Sequence, residues 1–304
     1  MTAPTAIIHF AEIAPRYDVL LCDVWGVIHN GRESFPQACA ALARFRAEVG
    51  PVILISNSPR PSEHVVEQLD RLGVPREAWS AFVTSGDATR TLLAARAPGP
   101  AWIVGPDRDM PLYDGLGLEP AGPEDAAFVA VTGMVDDENE VPDDYRDRLA
   151  IAAERGLTLI CANPDRVVQR GSRLIYCGGS LADLYEVLGG EVLMAGKPYK
   201  AIYDLALAEA QALKGGPVDR ARVLCIGDGV ITDVKGAHDQ NLACLFIAKG
   251  IHGEHAIGPD GRLDPAKVEG LLAAERVGAT HAMTSLAYLA SFTVYHVAVA
   301  MGAG

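Results

Sequence analysis

The sequence predicts an α/β protein: a core built on a parallel sheet, with a second α/β unit inserted into it. Three observations carry this expectation. Short, largely apolar runs of strand length recur, among them Val19 to Cys22, Pro51 to Ile55, Ala81 to Thr84, Arg222 to Gly227 and Ala243 to Ala248, as suits strands buried on both faces. They alternate with stretches at helical spacing, the order expected of βαβ units. Each run ends in a polar or glycine-containing turn, and after a Pro/Gly-rich joint at Ala97 to Pro100 the same pattern starts afresh.

The first strand ends at Asp23 and enters the loop Val24-Trp-Gly-Val-Ile-His-Asn-Gly31, where Gly26 permits a sharp turn and close backbone approach to a ligand. Phe35 to Val49 reads as a helix. The strand Pro51 to Ile55 meets Ser56-Asn-Ser-Pro-Arg60. Ser62 is placed to cap the next helix, with Val65, Val66, Leu69 and Leu72 on one face and Gly73 closing it. The strand Ala81 to Thr84 leads through Ser85-Gly-Asp87 to a helix over Ala88 to Ala95. In the inserted unit, strands are expected at Ala101 to Val104, Ala126 to Val131 and Leu157 to Cys161, and helices at Tyr145 to Glu154 and Leu181 to Leu188. The acidic run Asp136 to Glu140 reads as a solvated loop. Returning to the first unit, Met194-Ala-Gly-Lys-Pro198 precedes a helix over Ala201 to Leu213. A strand then ends in Asp228-Gly-Val-Ile-Thr-Asp233, a short helix runs through Ala237, and the strand Ala243 to Ala248 follows. A helix over Lys267 to Ala274 and a last short helix carrying Leu286 and Leu289 finish the pattern.

Composition narrows the function. With 49% hydrophobic and 21% charged residues, the 304-residue chain is of ordinary globular make-up and long enough for two domains. A net charge of −13 argues against nucleic acid or an anionic membrane as partner, while leaving room for a small phosphate in a locally positive pocket. Six cysteines with no C-x-x-C pair read as buried thiols in a reducing compartment, so a cytoplasmic location is expected. Met1 to Phe10 has no secretory pattern, and no stretch reaches about 18 uninterrupted apolar residues, so no membrane span is expected. The apolar tail Phe292 to Ala300 suits a docked strand or a contact between copies of the chain.

Four polar clusters each follow a strand or open a helix: Asp23 to Gly26, Ser56 with Asn57, Lys197, and Asp228 with Asp233. A parallel sheet gathers strand ends on one edge, so distant clusters can converge. Carboxylates with a backbone carbonyl suit Mg²⁺, a hard cation. A hydroxyl, backbone N–H groups and one lysine suit a phosphate dianion. Metal and lysine together offset the repulsion between an anionic Asp23 and an anionic phosphoryl group. Singly, each residue fits an ordinary turn or helix-start role; as an ordered set they point to chemistry.

In these stretches, Asp-Val-Trp-Gly-Val-Ile-His-Asn-Gly (23–31), Ile-Ser-Asn-Ser (55–58), Gly-Lys-Pro (196–198) and Gly-Asp-Gly-Val-Ile-Thr-Asp (227–233), the chain resembles class IIA of the haloacid dehalogenase superfamily, the group of nitrophenylphosphatase-like sugar and nucleotide phosphatases. The resemblance implies a doubly wound, Rossmann-like core over residues 1–84 and 193–304, with an α/β cap over 85–192. It implies Asp23 as nucleophile, with Mg²⁺ held by Asp23, the Trp25 carbonyl, Asp228 and Asp233. Ser56, Asn57, Lys197 and Gly26 would bind the phosphoryl group of a small sugar or nucleotide phosphate. Asn163 and Asp165, and the run Gly178-Gly-Ser180, match cap loops that close such sites. Related proteins often form homo-oligomers through their caps.

One position departs from that pattern. Most phosphatases of the family carry a second Asp two residues after the nucleophile, to protonate the leaving oxygen; here Trp25 stands there, and indole has no titratable proton at neutral pH. Three accounts remain open. Another group supplies the proton, His29, six residues after Asp23, being a candidate although a surface loop histidine is the commoner role. Or the enzyme favours good leaving groups or an acceptor other than water. Or the chain binds phosphorylated ligands without turning them over. Halide displacement is disfavoured, since it needs no metal and Asp228 and Asp233 are both present.

Overall fold

The computed structural model describes residues 4–170 and 173–288. Its larger sheet has seven parallel strands in the order Thr5–Ala6, His281–Met283, Ala243–Ile247, Val223–Gly227, Val19–Asp23, Val52–Ser56, Ala81–Thr84. All five residues of Val19–Asp23 and all five of Val223–Gly227 are buried, which their unbroken apolar character requires. From Val19–Asp23 the chain steps outward through Val52–Ser56 to Ala81–Thr84; from Val223–Gly227 it steps outward the other way. The strand order therefore reverses between Val19–Asp23 and Val223–Gly227. A crevice opens beyond the carboxyl ends of strands at such a switch point, and Asp23 and Asp228 lie on its two sides.

Alternate residues of the central strands feed two cores, as a period of two demands. Leu20, Cys22 and Leu54 pack with Leu42 and Phe45 of the helix Pro36–Glu48. Leu21, Ile53 and Ile55 pack on the other face with Ile202, Tyr203 and Ala206 of the helix Lys200–Lys214.

The inserted unit has its own five-stranded parallel sheet, ordered Glu191–Met194, Thr158–Cys161, Phe128–Val131, Gly99–Val104, Leu118–Pro120. An antiparallel pair, Val167–Arg170 and Arg173–Tyr176, stands beside it. Four of these strands were not anticipated. Leu118–Pro120 is three residues long and ends in proline. Leu174 and Tyr176 of the antiparallel pair are exposed, so no clear apolar face marks it. Glu191–Met194 abuts the Gly-Lys-Pro stretch, and its pairing through Met194 carries the second sheet two residues past the expected boundary at 192.

Other expectations need correction. Ser62 does not cap the second helix: Pro61 occupies the N-cap position without a capping bond, and Ser62 is the first helical residue, its N–H donating to Asp87 Oδ1. The helix expected from Ala88 starts at Ser85, and that expected from Leu181 starts at Gly178, so the Gly178-Gly-Ser180 run is a first helical turn rather than a loop. The acidic run is only partly solvated, since the Asp137 side chain, paired with Arg108, is 9% exposed. Leu286 is buried outside any helix, while Leu289 and the tail Phe292 to Ala300 lie outside the described residues. All six cysteines are free and buried. No helix among the described residues is long and apolar enough to cross a membrane.

Phe45 is fully enclosed between the helix Pro36–Glu48 and the sheet. Phe45→Ala should cost about 3–5 kcal/mol of unfolding free energy, read as a lower denaturation midpoint with an unchanged urea slope.

Candidate active site

Asp23 ends its strand with its side chain in the crevice, 6% exposed. Lys197 enters between the strand Glu191–Met194 and the helix Lys200–Lys214, and its ammonium contacts Asp23 Oδ1 in a short charged hydrogen bond. The same Nζ donates to Asp233 Oδ1 at 2.7 Å. Asp233 sits in a wide helical turn, Val230–Val234, where the Val234 N–H reaches back five residues to the Gly229 carbonyl. Its Oδ2 accepts from the Gly229 N–H at 3.0 Å, which holds the carboxylate facing inward. Asp228, one residue past its strand, accepts the Ile251 N–H at 2.7 Å.

Oxygens of Asp23, Asp228 and Asp233 lie within 4.8 Å of one another. The backbone has to come very close to allow this. A methyl on Gly26 would fall 2.1 Å from Asp228 Oδ2, and Gly26 has φ of +83°, so only glycine fits. A methyl on Gly250 would fall 2.0 Å from the same oxygen. Gly250 and Ile251 were missed in the sequence, although they too follow a strand, Ala243–Ile247, and the strand-end rule that singled out the other clusters applies to them.

Burial pushes the Asp23 carboxyl well above the usual carboxylate range, and the neighbouring Asp233 and Asp228 add to it while Lys197 opposes it. Burial, reinforced by Asp233, likewise raises Asp228 to about 7. Burial disfavours the Lys197 charge, but Asp23 and Asp233 outweigh it and the ammonium is held more firmly than normal. With the carboxylates ionised, three negative charges face one positive charge, leaving an excess of two in a buried site. A donor set of hard oxygens with that excess fits a divalent cation such as Mg²⁺; Asp23, Asp228 and Asp233 would hold it.

Ser56 is half-buried, and its hydroxyl accepts the Ser58 N–H at 3.2 Å. The Asn57 side chain is engaged with Lys197 and with Asp165 of the cap, so the structure brings Asp165 to the site. Asn163 Oδ1 accepts the Asp165 N–H. Ser180 instead gives its hydroxyl to the Cys177 carbonyl at 2.6 Å, within its own helical turn. Beside Asn163, a cleft of about 140 Å³ opens between residues 58–60 of the core and the cap, lined also by Arg108, Asp109 and Tyr176.

Trp25 is 40% exposed, and its ring leans edge-on against His29 with centroids 5.2 Å apart. His29 is not a surface residue: it is 2% exposed, and its Nδ1 accepts the Gly31 N–H at 3.0 Å. Burial lowers its pKa to about 4. The ring is therefore neutral at pH 7 and shapes the loop.

A haloacid dehalogenase-like hydrolase model matches residues 20–119, and a HAD-hydrolase-like model matches residues 194–270. A haloacid dehalogenase-like hydrolase from Brucella suis is 45% identical, over 92% of this chain and 99% of that one, with a TM-score of 0.81. The chain belongs to the haloacid dehalogenase-like hydrolase family. D-glycerol 3-phosphate phosphatase of Mycobacterium tuberculosis is 26% identical over 79% of this chain and 65% of its own length, so the match leaves about a third of that relative uncovered. A crystal structure of the mycobacterial glycerol phosphate phosphatase with magnesium aligns at a TM-score of 0.60 and 25% identity, over 79% of this chain and 70% of that one.

The raised Asp228 pKa fixes the sign of a pH effect. Its folded value of about 7 exceeds the ordinary 3.8, so in metal-free protein this carboxyl favours the fold while protonated, and that contribution is lost as pH rises from about 4 through 7. A cation needs the ionised form, so its binding strengthens over the same rise. Magnesium should therefore raise the melting temperature more at pH 8 than at pH 6, with EDTA removing the gain; an equal rise at both values would contradict this electrostatic account.

Proposed function

We propose that the chain is a Mg²⁺-dependent phosphomonoesterase acting on small phosphorylated metabolites, sugar or nucleotide phosphates, in a reducing cytoplasmic compartment. The observation that carries the reading is the shared ammonium of Lys197, bound to Asp23 and Asp233 with Asp228 within reach. The phosphatase activity of the mycobacterial relative supports it.

An Asp23 oxygen attacks phosphorus in line with the ester oxygen. The P–O ester bond breaks with its electron pair on the leaving oxygen, giving an aspartyl-phosphate and an alkoxide that takes its proton from solvent water. Water then attacks phosphorus, releasing phosphate and restoring the carboxylate. Lys197 lowers the repulsion between nucleophile and phosphoryl oxygens. On this reading the Ser56 hydroxyl and the Asn57 and Gly26 backbone hold those oxygens, and the polar cleft beside Asn163 receives the rest of the substrate. The three aspartates and the Trp25 carbonyl would hold Mg²⁺, which would supply further charge compensation.

Trp25 and the neutral, buried His29 supply no proton to the leaving oxygen. This favours a second reading, a protein that holds phosphorylated ligands with little or no turnover. Phosphate release should be measured over a panel of sugar and nucleotide phosphates, with Asp23→Asn as control. Release by the wild type and none by the variant is the expected result; ligand binding with no release from any substrate favours the second reading. Trp25→Asp should raise kcat by about 10²-fold or more on substrates with poor leaving groups, the low end of what general acid–base help contributes. An unchanged kcat would mean that protonation does not limit the rate.

A further inference from the structure

Asp165 is a cap residue whose side chain points at the core. Its Oδ1 accepts from Asn57 Nδ2 at 2.9 Å. That amide grips Lys197 by both backbone groups: Nδ2 also donates to the Lys197 carbonyl at 3.1 Å, and Oδ1 accepts the Lys197 N–H at 2.7 Å. One side chain thus sits between the cap and the backbone of the residue whose ammonium reaches Asp23. Both Nδ2 protons are used, one on each acceptor, so the amide has no better orientation to turn to.

The cap side of the contact is firmly built. The Gly179 N–H donates to the Asp165 carbonyl at 3.0 Å, and a methyl on Gly179 would fall 2.2 Å from the Pro164 carbonyl oxygen. Arg166 pairs with both oxygens of Asp183, at 3.0 and 2.8 Å, and its Nη1 donates to the Pro164 carbonyl at 3.2 Å. On the core side there is no slack either. A methyl on Gly196 would fall 2.6 Å from Asn57 Oδ1 and 2.9 Å from Pro164 Cδ. Cap loop, Asn57 and the Gly196-Lys197 backbone are in direct contact.

We propose that Asp165 is a positioning residue: it locks the Asn57 amide, and through it the Lys197 backbone, so that the ammonium is set beside Asp23 only while the cap is seated. The inference rests on the phosphatase reading for its kinetic consequence, but not for its structural one. A carboxylate acceptor gives a stronger bond than a neutral one, and it comes from a different domain than the amide it holds. Opening the cap removes that acceptor and leaves the Asn57 amide held only by its two bonds to Lys197. In this arrangement the cap does more than cover the crevice, because it completes the support of the cationic group inside it.

The test compares D165A with D165N, which keeps the Oδ1 acceptor and drops the charge. On the best substrate of the panel, D165A should lower kcat about tenfold or more with KM changed less than about threefold, and D165N should recover most of the loss. Hydrogen exchange of the Lys197 amide should quicken about tenfold in D165A and much less in D165N. Should D165A fail to fold, D165S takes its place in both measurements. An unchanged Lys197 exchange rate in D165A overturns the proposal. So does a D165N variant as impaired as D165A with a raised KM, which would make Asp165 a charge acting on substrate. If wild-type protein turns over nothing, the phosphatase reading fails while the exchange measurement still decides this one.

Discussion

The site is organised by a single ammonium shared between two carboxylates. Burying Asp23, Asp228 and Asp233 together is costly, because each charge loses water and repels the other two. Lys197 makes the arrangement tolerable by bonding Asp23 and Asp233 at once. It does not neutralise the cluster, and the excess that remains is what a divalent cation answers. Removing the lysine would leave buried, unpaired anions, the costly half of a broken ion pair.

The fold delivers these groups with little local effort. Strand order reverses between Val19–Asp23 and Val223–Gly227, so the aspartates at the two strand ends face one crevice. Lys197 arrives as the chain returns from the cap, and Asn57 from the neighbouring strand end meets its backbone. Contacts to Asp228 from Gly26 and Gly250 use glycine because nothing larger fits. Three carboxylates far apart in sequence thereby stand within 4.8 Å of one another.

Much of this was legible in the sequence, for physical reasons. Unbroken apolar runs such as Val19 to Cys22 announce strands buried on both faces, and a polar residue at the end of each marks the chemically active edge. Five of the seven core strands and the four polar clusters follow from that rule; Thr5–Ala6 and His281–Met283, two and three residues long, are too short to announce themselves that way. The cap was harder to read. Its short edge strand Leu118–Pro120 and the exposed Leu174 and Tyr176 carry little burial signal, and Gly178 and Gly179, poor helix formers, open a helix because the chain packs tightly there. His29 looked like a loop residue in contact with solvent; it is enclosed because its ring accepts the Gly31 N–H and lies against Trp25. The Asn57–Asp165 contact spans 108 positions and leaves no trace in local pattern.

The chain leaves the large sheet at Thr84 and comes back from the small one after Met194. The two crossings run side by side, for the Ser85 hydroxyl lies 2.5 Å from where a methyl on Gly196 would be. Two adjacent crossings between bodies resist sliding and twisting of one against the other and leave a swing about the line through both as the softest motion. On the proposed phosphatase reading, a swing of that kind would admit every bulky substrate along the same arc.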